Sequence, residues 1–149
     1  MSTSAIFKLL PTPAKRWIRR RYYRRVVQAY RPSDWEWSPV VLPKIPTGGV
    51  VYDIGANVGY LSKLFAERVG RKGRVFSVEP IPDTFDALSS SMRTFFPDVV
   101  TTFPCCISDT RGHVDMVVPS YAGGGDNFYE SHIAAAGEAS SGAGRSYRV

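Results

Sequence analysis

One short run of the chain carries residues that could do chemistry together: Asp53, Gly55, Asn57 and Gly59. They end a run of apolar, β-branched residues at 50–54, which predicts a central strand buried on both faces. Gly55 would permit a sharp turn at the end of that strand. Gly59 would let the following helix pack closely on the strand that feeds it. A strand, a glycine turn and a helix N-terminus predict a nucleotide site at the carboxyl end of a parallel sheet.

A second acid strengthens this prediction. Residues 74–79 predict a short apolar strand that ends in Glu79, twenty positions after Gly59. A carboxylate at the tip of a second strand can accept hydrogen bonds from both hydroxyls of a ribose, and it would repel a 2′-phosphate. The alternative is a plain strand end and a turn that hold no ligand.

The spacing of the glycines favours one class of nucleotide. Dinucleotide folds carry G-x-G-x-x-G directly after the strand, whereas this chain has only Gly55 and Gly59, with Asp53 before them. An acid at that position suits the amino group and sulfonium of S-adenosylmethionine better than a pyrophosphate. An NAD-dependent oxidoreductase is therefore a weaker alternative.

Several segments together resemble the FkbM family of S-adenosylmethionine-dependent methyltransferases over about residues 47–149. They are D-I-G-A-N-V-G-Y at 53–60, G-R-V-F-S-V-E-P at 73–80, and C-I-S-D at 106–109 with Gly112 beyond. The resemblance implies a Rossmann-like class I methyltransferase fold, S-adenosylmethionine as cofactor, and methyl transfer to a hydroxyl of a sugar, glycolipid or natural product. It also implies that Asp109 lies near the adenine amino group, although Asp109 could equally be a turn residue. The predicted cofactor-binding residues are Asp53, Gly55, Asn57, Gly59, Glu79 and Asp109.

The same resemblance predicts an incomplete sheet. About three parallel strands and a possible hairpin are expected, and the family's I-D-V-E-G-x-E segment does not occur. We therefore expect the N-terminal half of a methyltransferase, with weak cofactor binding, little turnover and an open apolar edge on its first strand. A non-catalytic fragment that binds a membrane surface is the alternative from another functional class.

Charge and composition divide the chain into three predicted parts. Residues 1–31 carry nine Lys and Arg and no acid, whereas the remainder carries ten against thirteen acids. We predict a basic segment with an amphipathic helix at 1–31, an extended Pro/Trp linker at 32–46, and the N-terminal part of the methyltransferase domain at 47–149. The first thirteen residues are expected to be loose.

The basic helix predicted over 14–30 has three interpretations. Its apolar stripe could dock on the domain and leave the arginines solvated, or it could lie on an anionic membrane. Nucleic-acid binding or an organellar presequence is the third possibility and is not favoured. The stripe consists of Trp17, Ile18, Tyr22, Val26 and Tyr30.

The remaining features concern compartment, edges and candidate bases. Cys105 and Cys106 fall in a third strand predicted over 99–107, and packed thiols there indicate a reducing, cytoplasmic location, with peripheral membrane contact as an addition. Pro104 places that strand at a sheet edge. His113 is expected to face solvent, and neither it nor His132 is assigned as a general base. The sequence contains no Cys/His cluster that would predict a metal site.

Overall fold

The chain forms an α/β structure, described here from a computed structural model for residues 10–109, 111–121, 126–134 and 144–149. The helices are α1 (Thr12–Ala29), α2 (Ser38–Val41), α3 (Tyr60–Val69) and α4 (Pro82–Phe95). Single 3₁₀ turns occur at Pro32–Asp34, Leu42–Lys44 and Phe128–Glu130. The strands are β1 (Val50–Ile54), β2 (Arg74–Val78), β3 (Val100–Phe103), β4 (Asp115–Pro119), β5 (His132–Ile133) and β6 (Gly144–Arg148).

The first three strands form a parallel sheet in the order β1-β2-β3. Ile54 pairs with Val78, and Val78 pairs with Phe103, so the three strands end at one edge of the sheet. Helix α3 connects β1 to β2, and α4 connects β2 to β3. This alternation is one half of a doubly wound α/β sheet and confirms the predicted fold class. The predicted edge position of the third strand is also confirmed, and that strand ends before Pro104.

The prediction that β1 is covered on both faces is wrong. Val50, Tyr52 and Ile54 are 58%, 68% and 65% exposed, because α3 and α4 pack on the opposite face. Tyr52 stacks on Phe76 with ring centroids 5.2 Å apart, and Phe76 contacts Phe103 at 6.2 Å. Among the strands that the structure describes, β1 pairs with β2 alone, so its other edge is open, as expected.

Helix α1 docks on α4 through arginines, which corrects the prediction that the arginines stay solvated. Arg19 lies 2.6 Å from Asp83, and Arg20 binds both carboxylate oxygens of Asp86. Arg24 donates to the Ser90 hydroxyl at 2.9 Å. Tyr23 and Val27 enter the core. Of the predicted stripe, Trp17 and Tyr22 are exposed, whereas Ile18, Val26 and Tyr30 are half-buried. The acids on α4 make it favourable for the arginines beside them to face inward.

The Arg20–Asp86 pair predicts a pH-dependent contribution to stability. The hydrogen bonds from Arg20 lower the pKa of Asp86, although its partial burial opposes this. A carboxyl pKa that is lower in the folded state adds stability above the ordinary carboxyl pKa, and this stability is lost as the pH falls through the lowered value. Arg20→Gln should therefore reduce the free energy of unfolding by about 1 kcal/mol at pH 7, measured by urea unfolding, and by much less at pH 2.

The matched control is Arg21→Gln. Arg21 is exposed on the side of α1 away from α4, so its replacement should leave the free energy of unfolding unchanged at both pH values. Equal effects of the two substitutions would contradict the docking contact.

Two other predictions about local structure are wrong. Residues 32–46 form short helical turns rather than an extended linker, and the Ser38 hydroxyl closes them by donating to the Pro32 carbonyl at 2.6 Å. Cys105 and Cys106 follow β3 instead of lying in it, and both are free thiols. Cys105 is exposed, so it is not a packed thiol.

A second, antiparallel sheet in the order β5-β4-β6 packs beside the first. Asp83 at the start of α4 connects this sheet to α1. It accepts a hydrogen bond from Arg145 of β6 at 3.1 Å, and it also pairs with Arg19 of α1. The possible hairpin expected after the parallel strands falls in this sheet. Residues 1–13 were expected to be loose, which is wrong for Thr12 and Pro13 because they begin α1, and residues 1–9 lie outside the described residues. None of the described helices combines the length and apolar character needed to cross a membrane.

Candidate functional site

The two predicted strand-tip acids line one cavity. Asp53 is next to the last residue of β1, and Glu79 directly follows β2, which is paired with β1 in parallel. Their side chains are largely buried, and both contribute to a cavity of about 440 Å³ at the carboxyl ends of the strands. The fold therefore brings together two acids that are 26 positions apart in the sequence.

Asp53 is a buried carboxylate held by α3 and the neighbouring strand. The Ser62 hydroxyl donates to Asp53 Oδ2 at 2.5 Å, and it lies 2.9 Å from the hydroxyl of Ser77 on β2. Burial raises the pKa of Asp53, and the nearby charge of Glu79 raises it further, although the hydrogen bond from Ser62 opposes the change. A carboxylate in such surroundings gains from a cation placed beside it.

Glu79 is fixed by three donors of the chain itself. Its Oε1 accepts from the Ile81 N–H at 2.9 Å and from the Thr84 hydroxyl at 2.8 Å, and its Oε2 accepts from the Asn57 N–H at 2.8 Å. A carboxylate offers about four acceptor positions, so the remaining position is on Oε2. Glu79 therefore has one acceptor position left for a ribose hydroxyl, where two hydrogen bonds were expected.

The loop after β1 leaves room for a ligand at its glycine. Gly55 has a φ of 77° and Asn57 a φ of 50°, both in the left-handed region. A Cβ added at Gly55 would meet no atom within 4 Å, because the position opens onto the cavity. This free space against a backbone turn forms a cradle that any side chain would partly fill.

Gly59 has a different role from the one predicted. Its φ is 101°, and an added Cβ would lie 2.8 Å from Leu88 Cδ1 and 3.0 Å from Met92 Cε. The close approach is therefore to α4 rather than to the preceding strand. Gly59 does not line the cavity but sets the start of α3 behind it.

Four of the six predicted cofactor-binding residues line the cavity: Asp53, Gly55, Asn57 and Glu79. Asp109 does not. It is exposed in the segment after β3, where the Ser108 hydroxyl donates to it at 3.2 Å. The structure thus favours the turn interpretation of Asp109 over contact with an adenine.

An aromatic wall opposite the acids was not predicted. Tyr30 at the end of α1 lies 4.8 Å, between ring centroids, from Tyr60 at the start of α3, and the buried Lys63 ammonium fixes the Tyr30 carbonyl at 2.8 Å. Burial raises the pKa of Tyr60, and nearby tyrosines raise it further. Tyr60 directly follows the glycine motif, which is the one sequence signal that could have indicated this wall. The wall consists of Tyr30, Trp35, Tyr60, Phe128 and Tyr129.

The two histidines contribute neither a general base nor a metal ligand to the cavity. His113 is exposed, as predicted, and neither His113 nor His132 lines the cavity. Within the described ranges, no three His, Cys, Asp or Glu side chains are grouped closely enough to hold a metal ion.

Comparison with known proteins gives distant likenesses to solved structures. No family model matches the chain, and no curated protein matches it. A solved structure described as a putative rRNA-methylase from Clostridium thermocellum aligns with 46% of this chain at 20% identity and a TM-score of 0.43. The aligned part covers 38% of that protein's chain. The resemblance to the FkbM family stays a prediction.

Proposed function

We propose that this chain binds S-adenosylmethionine and belongs to a methyltransferase of the FkbM type, which methylates a hydroxyl of a sugar, glycolipid or natural product. The observation that carries the proposal is the pairing of Asp53 and Glu79 at adjacent strand tips on one cavity. The two acids have separate tasks in this proposal: Asp53 attracts positive charge, and Glu79 accepts from a ribose hydroxyl.

The residues present fit this cofactor in both charge and space. Asp53 and Glu79 lie close enough to raise the pKa of Asp53, so a cation between them would relieve their repulsion. The open position beside Gly55 would let the ligand approach the backbone. A pyrophosphate would instead add negative charge beside two buried carboxylates, which disfavours a dinucleotide.

The chain's own contribution to methyl transfer would be orientation and exclusion of water. S-adenosylmethionine supplies an already activated methyl group when bound, so positioning an acceptor oxygen near it is the main task of the protein. The aromatic wall offers flat faces on which a sugar or another ring could lie. Because its pKa is raised, the Tyr60 hydroxyl keeps its proton and would act as a hydrogen-bond donor to the acceptor rather than as a base.

Isothermal titration with three ligands tests the proposal. S-adenosylmethionine and S-adenosylhomocysteine are expected to bind at one shared site, shown by competition between them, and NAD is expected not to bind. Binding of NAD with no binding of either sulfur nucleoside would replace the proposal with the oxidoreductase alternative. If none of the three ligands binds, Asp53 and Glu79 serve only to hold β1 and β2 against the helices.

A further inference from the structure

The outer side of α1 remains uncovered after the helix has docked. We define the outer face as Trp17, Arg21, Tyr22 and Arg25, which lie on the side of α1 opposite Tyr23 and Val27. Trp17 is 62% exposed and Tyr22 is 59% exposed, although both are large aromatic side chains. The Arg21 guanidinium lies 5.7 Å from the centre of the Trp17 ring.

The outer face has positive charge that no acid of the described chain neutralises. Arg19 and Arg20 point inward and pair with Asp83 and Asp86, whereas Arg21 and Arg25 form no ion pair with any described residue. Helix α1 itself contains no Asp or Glu. The two aromatic rings and the two guanidinium groups without an ion pair to a described residue therefore form one exposed strip.

We infer that the outer face of α1 binds an anionic lipid surface. Trp and Tyr favour the headgroup level of a bilayer, where their rings are half in apolar surroundings, and arginines beside them pair with lipid phosphates. The apolar area is small, so binding should be shallow, largely electrostatic and sensitive to salt.

The exposed aromatic rings favour a membrane over a nucleic-acid duplex. A duplex is bound chiefly through its phosphates, whereas the rings of Trp17 and Tyr22 match the headgroup level of a bilayer. Single-stranded RNA is bound in grooves that follow its backbone, and the outer face lies on one helix. Tyr22, on the outer face, packs on the half-buried Tyr23 with ring centroids 5.1 Å apart.

Vesicle co-sedimentation of the full chain tests the inference. Vesicles of phosphatidylcholine with about 30% phosphatidylglycerol, which gives them a negative surface potential, should bind the chain, and pure phosphatidylcholine vesicles should not. Arg21→Gln with Arg25→Gln should weaken partitioning about thirtyfold, since each basic residue near an anionic surface contributes about fivefold. The control, Arg71→Gln with Lys72→Gln, removes the same charge from the exposed turn after α3 and should change partitioning less than twofold.

A second pair of variants separates the outer face from net charge. Trp17→Ala should weaken binding about tenfold through lost interfacial burial, whereas Trp37→Ala, which removes another exposed tryptophan, should not. Three results would overturn the inference: no binding to anionic vesicles, equal losses in the two charge variants, or equal losses in the two tryptophan variants. Tighter binding of a single-stranded RNA, lost in the outer-face variant alone, would also overturn it.

Discussion

Replacing Asp53 with Asn is expected to weaken the binding of S-adenosylmethionine about fiftyfold at pH 7, because a hydrogen bond or ion contact to a charged group contributes about 1.5 to 3 kcal/mol in a buried site. The loss should be larger for S-adenosylmethionine than for S-adenosylhomocysteine, which lacks the sulfonium charge. Competition titration with both ligands measures this. Equal affinities of the variant and the wild type for S-adenosylmethionine would show that Asp53 does not contact the ligand.

The same substitution should leave the chain at least as stable as the wild type. Because burial raises the pKa of Asp53, the folded state binds a proton more tightly than the unfolded state. Stability therefore falls as the pH rises from the ordinary carboxyl pKa through the raised one, and Asn avoids this loss. Asn Oδ1 can still accept from the Ser62 hydroxyl. A thermal midpoint for Asp53→Asn well below that of the wild type at pH 7 would show that the ionised carboxylate stabilises the fold.

Gly59→Ala is expected to lower the free energy of unfolding by about 3 kcal/mol. A left-handed φ costs an L-residue about 1 to 2 kcal/mol, and an extra methyl group in a packed core costs about 1 to 3 kcal/mol. The new methyl group would lie 2.8 Å from Leu88 Cδ1 and 3.0 Å from Met92 Cε, and both side chains are fully buried. Urea unfolding followed by circular dichroism measures the change.

Gly48→Ala serves as the control for Gly59→Ala. Gly48 also has a positive φ, 79°, but an added Cβ would meet only Lys72 Cβ at 3.9 Å, an ordinary contact. Its cost should be the backbone part alone, about 1 to 2 kcal/mol. If both substitutions cost the same, the close packing of Gly59 on α4 is not important for stability.

The sequence was most informative where one residue determines local geometry. Gly70 has a φ of 67° and ends α3, in the position after the last helical turn that glycine favours. The alternation of strands and helices predicted a parallel sheet, and parallel strands end at one edge, so the meeting of Asp53 and Glu79 followed from their positions at two strand tips. Pro104 indicated that β3 lies at a sheet edge, but the strand was predicted to continue to 107 and instead ends at Phe103.

Features that depend on contacts between distant segments were not predictable from one sequence. The face of α1 that docks depends on Asp83 and Asp86, more than sixty positions away, so the apolar stripe alone wrongly placed Trp17 and Tyr22 on the docked face. How many acceptor positions of Glu79 are occupied depends on how Asn57 and Thr84 close around it. The exposed face of β1 reflects which side α3 and α4 cover, and β-branched residues fit either case.

Nuclear magnetic resonance of the ¹⁵N-labelled chain during titration with S-adenosylhomocysteine tests whether the nucleoside binds at the carboxyl ends of β1 and β2. The Asn57 and Ile81 amides donate to the two oxygens of Glu79, and Gly55 opens onto the cavity, so their signals report contact with the strand tips. These three amides are expected to show the largest chemical-shift changes. Shifts that leave them unchanged and cluster instead in the β5-β4-β6 sheet would contradict it.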